Sequence, residues 1–251
     1  MSLSKLRVRY QTPRSMPAPY AYFYTLTARP ASNDSLQVDL TLTYPDRDDI
    51  DEDELIAEGF SRDDDFTWSG KLPKIWLQTV EELVRKTTLH PLDEDALGED
   101  DDFWELTLDS TDSVPQTGRP AHKGKGNLND WQYLMQELMQ ATFEAGNRER
   151  PFELIYLRLG AGAKDAEVYL SASFVDRTVS VTTIRDKRER MRGLPWTSLQ
   201  EVMSAVFAQD FDPDDAHLSR PKGAGQWINI GTDEWYNVGN LTDLTTFLDK
   251  L

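Results

Sequence analysis

Cysteine is absent from the sequence, which excludes disulfide bonds, thiol nucleophiles and cysteine-ligated metal sites at once. Histidine is scarce, and its 3 copies, His90, His122 and His217, have no histidine or carboxylate partner at a metal-ligand spacing such as H-E-x-x-H. The nucleophile elbow G-x-S-x-G and the dinucleotide fingerprint G-x-G-x-x-G are missing too. The sequence therefore predicts no metal and no cofactor, and it identifies no catalytic residue.

Long apolar segments and a surplus of positive charge are also absent. No stretch approaches the roughly 18 consecutive apolar residues of a membrane-spanning helix, and Met1 to Arg14 lack the apolar run of a signal peptide. Acidic side chains number 44 against 27 basic ones, and the resulting formal charge of −17 repels the phosphate backbone of nucleic acids. We therefore expect a cytoplasmic protein that binds neither membranes nor nucleic acid.

The apolar residues that are present predict a chain of both strands and helices. At 251 residues and 39 % hydrophobic content, the chain can bury a core in one large domain or in two small ones. Alternation of apolar residues predicts strands, and their helical spacing predicts helices. The predicted strands are 6–10, 20–28, 36–44, 65–69, 103–108, 152–159, 166–174, 178–184 and 226–230, and the main predicted helices begin near Pro73, Asn129, Pro195 and Leu241.

Three blocks of sequence recur in the same order, which indicates an internal duplication. The third block stands at two predicted helix starts, where Asn, Thr and Asp can cap free backbone N–H groups. The matched pairs are Val38–Arg47 with Val168–Arg177, Leu72-Pro73 with Leu194-Pro195 and the apolar residues that follow each, and Asn127–Asp130 with Asn240–Asp243.

The predicted fold is α+β, with two similar halves in tandem, each a small mixed or antiparallel sheet carrying two helices. We assign residues 1–19 to an extended N-terminal lead-in, 20–147 to the first half and 148–251 to the second half, with one continuous domain as the alternative. Such halves usually associate through a pseudo-twofold axis, as a homodimer does, so a monomer is mildly preferred and a ligand is expected in the groove between the halves.

Two loops combine positive charge with glycine and are candidate anion sites. Arg119, His122, Lys123 and Lys125 directly precede the strongest predicted helix, whose first N–H groups favour a phosphate or carboxylate. Arg220 and Lys222 form a weaker echo in the second half. The spacing is not that of the phosphate loop G-x-x-x-x-G-K-[ST], so a solvated loop is the alternative interpretation in each case.

Other glycine-rich or charged segments favour structural roles. Residues 160–164 lie between two predicted strands and open no helix, so they are interpreted as a hairpin turn. The basic stretch Arg185–Arg192 is interpreted as a charged connection, with a docking site for an acidic partner as the alternative. The acidic stretches 46–54 and 93–102 do not match a calcium-binding EF-hand loop and are expected to be solvated.

Two functional hypotheses follow from these features. The first is a non-enzymatic adaptor or other protein-binding protein with an acidic surface, in which Trp227, Trp235 and Tyr236 form an exposed recognition patch. The second is an enzyme or sensor that binds a small anionic ligand through the two glycine- and lysine-containing loops. Neither the partner nor a reaction can be read from the sequence.

Overall fold

The chain forms two compact units, Met1–Gly146 and Asn147–Leu251. The structure is a computed structural model and describes residues 3–111, 113–160 and 165–251. Each unit contains one antiparallel β-sheet and its own helices, which confirms the predicted α+β fold with two similar halves. The hairpin turn predicted for residues 160–164 lies largely outside the described residues.

The first unit is built on a seven-stranded sheet with the order β4-β3-β2-β1-β6-β7-β5. Its neighbouring strands are all antiparallel. The elements are β1 (Leu3–Gln11), β2 (Phe23–Pro30), β3 (Leu36–Thr43), α1 (Glu52–Ala57), β4 (Phe66–Leu72), α2 (Lys74–Lys86), β5 (Leu89–His90), β6 (Phe103–Ser110), β7 (Ser113–Pro120) and α3 (Leu128–Ala145).

Period-two burial along the strands and helical burial along α2 and α3 create the core of the first unit. In β3 every second residue is buried, from Leu36 to Leu42. The helices bury their apolar faces, with Trp76 of α2 and Trp131 of α3 fully inaccessible to solvent. The side chain of Asn127 and the carboxylate of Asp130 form a reciprocal capping box that fixes the start of α3.

The second unit is built on a six-stranded sheet with the order β11-β10-β9-β8-β12-β13. Its neighbouring strands are again antiparallel. The elements are β8 (Phe152–Leu159), β9 (Ala166–Ser173), β10 (Thr178–Arg185), β11 (Arg188–Leu194), α4 (Thr197–Phe207), β12 (Gly225–Asn229), β13 (Tyr236–Asn237) and α5 (Thr242–Leu248).

Both units follow one topology. Four strands form a meander, a helix follows the edge strand, the next long strand pairs with the first strand, a further strand lies beside it, and a helix closes the unit. The equivalent pairs are β1 with β8, β2 with β9, β3 with β10, β4 with β11, α2 with α4, β6 with β12, β7 with β13 and α3 with α5. This agreement is consistent with an internal duplication.

One of the three repeated sequence blocks matches two strands that are not equivalent in the topology. The blocks at the starts of the helices agree with the equivalent elements, whereas Val38–Arg47 and Val168–Arg177 contain β3 and β9. Topology pairs β9 with β2 instead. The resemblance arises because inner strands of a sheet with one buried face share the same alternation of apolar and polar residues.

Two segments contribute more to the sheets than the sequence indicated. The N-terminal lead-in, in which only residues 6–10 were predicted as a strand, contributes residues 3–11 as β1, which lies in the middle of the first sheet and pairs with both β2 and β6. The basic stretch Arg185–Arg192, interpreted as a connection, lies in the hairpin of β10 and β11. Among the residues that the structure describes, no helix combines the length and apolarity needed to cross a membrane.

Candidate functional site

Each unit has a pocket beside its closing helix, but the two pockets lie over different strands and differ in chemistry. In the first unit Trp104, Tyr10 and Tyr24 are direct neighbours across β6, β1 and β2. In the second unit the equivalent row crosses β12, β8, β9, β10 and β11. Its residues are Gln226, Arg158, Ala166, Arg185 and Arg188. An aromatic row in one unit therefore corresponds to an arginine-containing row in the other.

The first of these sites, the aromatic pocket, has a volume of about 510 Å³ and lies between the sheet and α3. The ring centroid of Tyr10 lies 5.2 Å from that of Tyr24 in a stacked arrangement and 4.9 Å from that of Trp104. These rings form an apolar wall, and side-chain amides of α3 provide hydrogen-bonding groups opposite it. The lining residues are Tyr10, Tyr22, Tyr24, Trp104, Asn129, Gln132, Tyr133, Met135, Gln136 and Met139.

Among the described residues that line the aromatic pocket none is positively charged, and the pocket lies in the more acidic unit. The first unit contains 28 acidic and 14 basic side chains, a formal charge of −14, whereas the second contains 16 and 13, a formal charge of −3. Burial is the main reason that the pKa values of Tyr10 and Tyr24 lie above the usual range. The neighbouring Tyr22 and Asp102 raise them further. Their phenols are therefore neutral hydrogen-bonding groups at physiological pH.

The second site, the arginine groove, has a volume of about 770 Å³ and lies beside the edge of the second sheet. Arg185 and Arg192 donate hydrogen bonds to main-chain carbonyls after α5, at 2.9 Å to Asp249 and 2.5 Å to Leu251. These cations stabilise the negative end of the helix dipole. The groove is lined by Thr183, Arg185, Asp186, Arg188, Arg190, Met191, Arg192, Asp249, Lys250 and Leu251.

Asp249 links the arginine groove to the interior of the second sheet. Its carboxylate lies 2.6 Å from Nη1 of Arg158 and accepts a 3.3 Å hydrogen bond from the hydroxyl of Tyr156. Burial, and to a smaller extent the negative charge of Asp249, raises the pKa of Tyr156 to about 12. Counted from the equivalent helix starts, Asp249 corresponds to Gln136 in the aromatic pocket. The two sites therefore differ in charge even at equivalent positions of their closing helices.

The anion site predicted in the first unit is only partly assembled from free groups. Arg119 is the penultimate residue of β7 and forms an ion pair with Asp102 at 3.1 Å. His122, Lys123 and Lys125 are exposed in the loop before α3. The carboxylate of Asp130 already accepts hydrogen bonds from the backbone N–H groups of Gly126 and Asn127, at 2.8 and 3.3 Å. An anion that bound at this helix start would be repelled by the carboxylate of Asp130. Anion binding by this loop stays a prediction.

The two residues predicted to complete that site lie in the second unit. Nη2 of Arg220 lies 2.7 Å from the carboxylate of Glu167, and Nη1 donates to the hydroxyl of Tyr169 at 2.9 Å. Lys222 is exposed in the loop before β12. The guanidinium of Arg220 thus already binds side chains of its own unit. An anion site shared with Arg119 stays a prediction.

The expected recognition patch of Trp227, Trp235 and Tyr236 is not exposed. Their side chains are 9 %, 7 % and 6 % accessible, because the two tryptophans pack with Leu157 on the second sheet. The ring of His217 lies edge-on to Trp227, with centroids 4.9 Å apart. These residues form a small core, and their predicted contact with a partner would require this core to open.

Sequence reasoning missed both pockets. Tyr10, Tyr24 and Trp104 each lie near one end of a strand, and this pattern could have indicated the aromatic pocket. The strand pairing that brings them together was not predictable, because β1 and β6 are nearly a hundred residues apart in the sequence. No group of three or more metal-ligating side chains occurs in the described ranges of the chain. No protein-family model, curated protein or solved structure matches this chain.

Proposed function

We propose that this protein is a non-enzymatic binding protein of the cytoplasm, in which the acidic first unit engages a basic segment of another protein. The aromatic pocket receives a cationic side chain of that segment. The observation that carries the proposal is a pocket in a unit of formal charge −14 whose described lining residues include tyrosines and a tryptophan and no basic side chain. The protein acts as a monomer in this proposal.

The physical basis is the attraction of a cation to aromatic rings in a negative field. Arginine and lysine bind over the faces of Trp and Tyr, with a contribution of about 1 kcal/mol that increases as water is excluded. The amides of Asn129, Gln132 and Gln136 supply acceptor oxygens for the N–H groups of such a cation. The charge of the whole unit also accelerates encounter with a basic partner.

A pair of peptides that differ in one charge tests the proposal. One peptide has a central arginine between serine and glycine residues, and the other has citrulline, which is neutral and nearly the same shape. We expect the arginine peptide to bind about fivefold more tightly in calorimetric titrations, since about 1 kcal/mol is lost with the cation. Equal affinities would contradict the proposal.

Substitution of Gln136 tests whether the pocket itself is the site. Gln136 is exposed at the pocket rim on α3, so its replacement should leave the fold intact. We expect Gln136→Lys to weaken binding of the arginine peptide by about tenfold and Gln136→Glu to strengthen it, because the added charge lies beside the bound cation.

The matched control is Gln78→Lys, which introduces the same charge on an exposed position of α2 outside the pocket. This variant should reduce the affinity by no more than about twofold, because surface charges are screened by salt over a distance of about 8 Å. If both lysine variants weaken binding equally, the general field of the unit binds the peptide and the pocket does not.

The rival hypothesis, an enzyme or sensor for a small anion at the two predicted loops, has weaker support. Arg119 and Arg220 each form an ion pair within their own unit, and Asp130 occupies the N–H groups at the start of α3. An anion at these loops would have to displace existing carboxylates.

A further inference from the structure

Strand β11 is the outer strand of the second sheet and pairs on one side with β10. No other described strand pairs with its opposite side, so a row of backbone N–H and C=O groups is available there. A free edge of this kind can accept one more strand from another chain. The segment is 7 residues long, which is enough to align a partner in a defined register.

The face of β11 that points to the helix side carries arginine at alternate positions. Arg192, Arg190 and Arg188 lie opposite Val181, Thr183 and Arg185 of β10. Direct cross-strand neighbours share a face, and Val181 is fully buried in the core. The three arginines therefore form one row on the same face of the sheet as the core, at the edge where the core ends.

The equivalent strand of the first unit shows why this face is open in the second. There β4 places Phe66 and Trp68 on the helix side, where Phe66 packs against Phe143 of α3 with ring centroids 4.8 Å apart. Helix α3 has 18 residues and covers β4, whereas α5 has 7. None of the described helices covers Arg188 and Arg190 in this way, and the arginine groove occupies that place.

The arginines of the groove divide into held and available ones. Arg185 and Arg192 are bound to the carbonyls that follow α5. The side chains of Arg188 and Arg190 form no hydrogen bond or ion pair with any residue that the structure describes, and both residues are exposed. Two guanidinium groups on one side of a free strand are thus ready to pair with carboxylates.

We propose that β11 accepts an extended acidic segment of a partner protein as an additional strand of the second sheet. Alternate side chains of a strand are about 6.8 Å apart, and neighbouring strands are about 4.8 Å apart. Glutamates at alternate positions of the added strand would therefore stand opposite Arg188 and Arg190. Charge complementarity selects the acidic segment, because the hairpin residues 185–192 contain 5 basic and 2 acidic side chains.

Arginine on an edge strand has a second known role, which is to prevent uncontrolled pairing of edges. That role requires charge but no particular pattern in a partner, so pattern is the property to test. The probe is a short peptide in which glutamate alternates with threonine, compared with an isomer that has the same composition but groups its glutamates together. Inorganic tripolyphosphate serves as a polyanion that cannot add a strand.

We expect the alternating peptide to bind about fivefold or more tightly than the isomer, and to slow hydrogen exchange of backbone amides in β11. The double variant Arg188→Gln/Arg190→Gln should reduce its affinity by about tenfold. Arg150→Gln, which removes a charge from an exposed position of the same unit, should leave the affinity within about twofold. Circular dichroism of each variant verifies that the fold is retained.

Three results would overturn the proposal. The first is equal affinity for the two peptide isomers, or no binding of either. The second is full competition by tripolyphosphate without slower exchange in β11, which would indicate a simple anion site. The third is unchanged affinity in the double variant.

Discussion

Arg47 shows how one charged residue organises a loop region of the first unit. Its side chain is 3 % accessible and donates hydrogen bonds to the carbonyls of Pro19 and Ser61 and to the carboxylate of Asp64. The guanidinium lies between two rings, 3.9 Å from the centroid of Tyr44 and 4.7 Å from that of Phe60. A planar group with five donors suits this position, and an ammonium group does not.

We therefore predict that Arg47→Lys lowers the free energy of unfolding by about 2 kcal/mol, because buried acceptors lose their donors. Arg47→Ala should cost about 3–5 kcal/mol, since Asp64 would lose its cationic partner. Urea denaturation measures both values. The control is Arg62→Lys, at an exposed residue with a single hydrogen bond to the carbonyl of Ile50, which should change stability by no more than about 0.5 kcal/mol. Equal effects of the two lysine variants would refute the role given to Arg47.

For individual residues, the sequence did not reveal which other residues each side chain contacts. Arg47 was part of a repeated block, but its acceptors are 14 to 28 residues away, so its burial has no local signal. Trp227 and Trp235 were expected at the surface because glycines flank them. A loop bridge between His217 and Trp235 brings them into a small core instead.

At the scale of elements, the hairpin of β10 and β11 depends on a two-residue turn. Asp186 and Lys187 have φ angles of 51° and 61°, and both positive values are typical of a type I′ turn. A residue with a Cβ is strained in this conformation, whereas glycine is not. Lys187→Gly creates the preferred Asp-Gly pair and should stabilise the hairpin by about 0.5–1 kcal/mol.

Hydrogen exchange of the amides in β10 and β11 measures that change directly. Lys187→Gln is the control, because it removes the same charge and keeps the strain. Slower exchange in the glycine variant alone is the expected result. If the glutamine variant slows exchange equally, the charge of Lys187 and not its backbone conformation limits the hairpin.

Helices with one apolar face were predictable, and so were strands with regular alternation, because local sequence decides both. Strand β11 was not, since its arginines and glutamate resemble a solvated connection. Pairing with β10 and the tight turn impose the strand conformation despite that composition. The short α5 and the long α3 also begin with similar sequences, so the difference in what they cover appears only in three dimensions.

For the whole molecule, duplication of topology is accompanied by divergence of charge. The aromatic pocket lies over β6, β1 and β2 in a unit of formal charge −14, whereas the arginine groove lies over β10 and β11 in a unit of formal charge −3. The sequence predicted the duplication from three repeated blocks, two of which stand at helix starts. It could not predict the pockets, because each is formed by residues from several strands and the closing helix.

The charge difference predicts that salt stabilises the two units unequally. Repulsion among like charges destabilises a compact unit, and raising the salt concentration from about 0.01 M to about 0.15 M shortens its range from about 30 Å to about 8 Å. Amide exchange resolved by peptide should therefore slow more in the first unit, Met1–Gly146, than in the second unit, Asn147–Leu251. Neutralising the exposed Asp48 and Asp100 with asparagine should reduce the salt effect in the first unit without changing the second. An equal response of both units would show that local ion pairs, and not the net charge of each unit, govern their electrostatic stability.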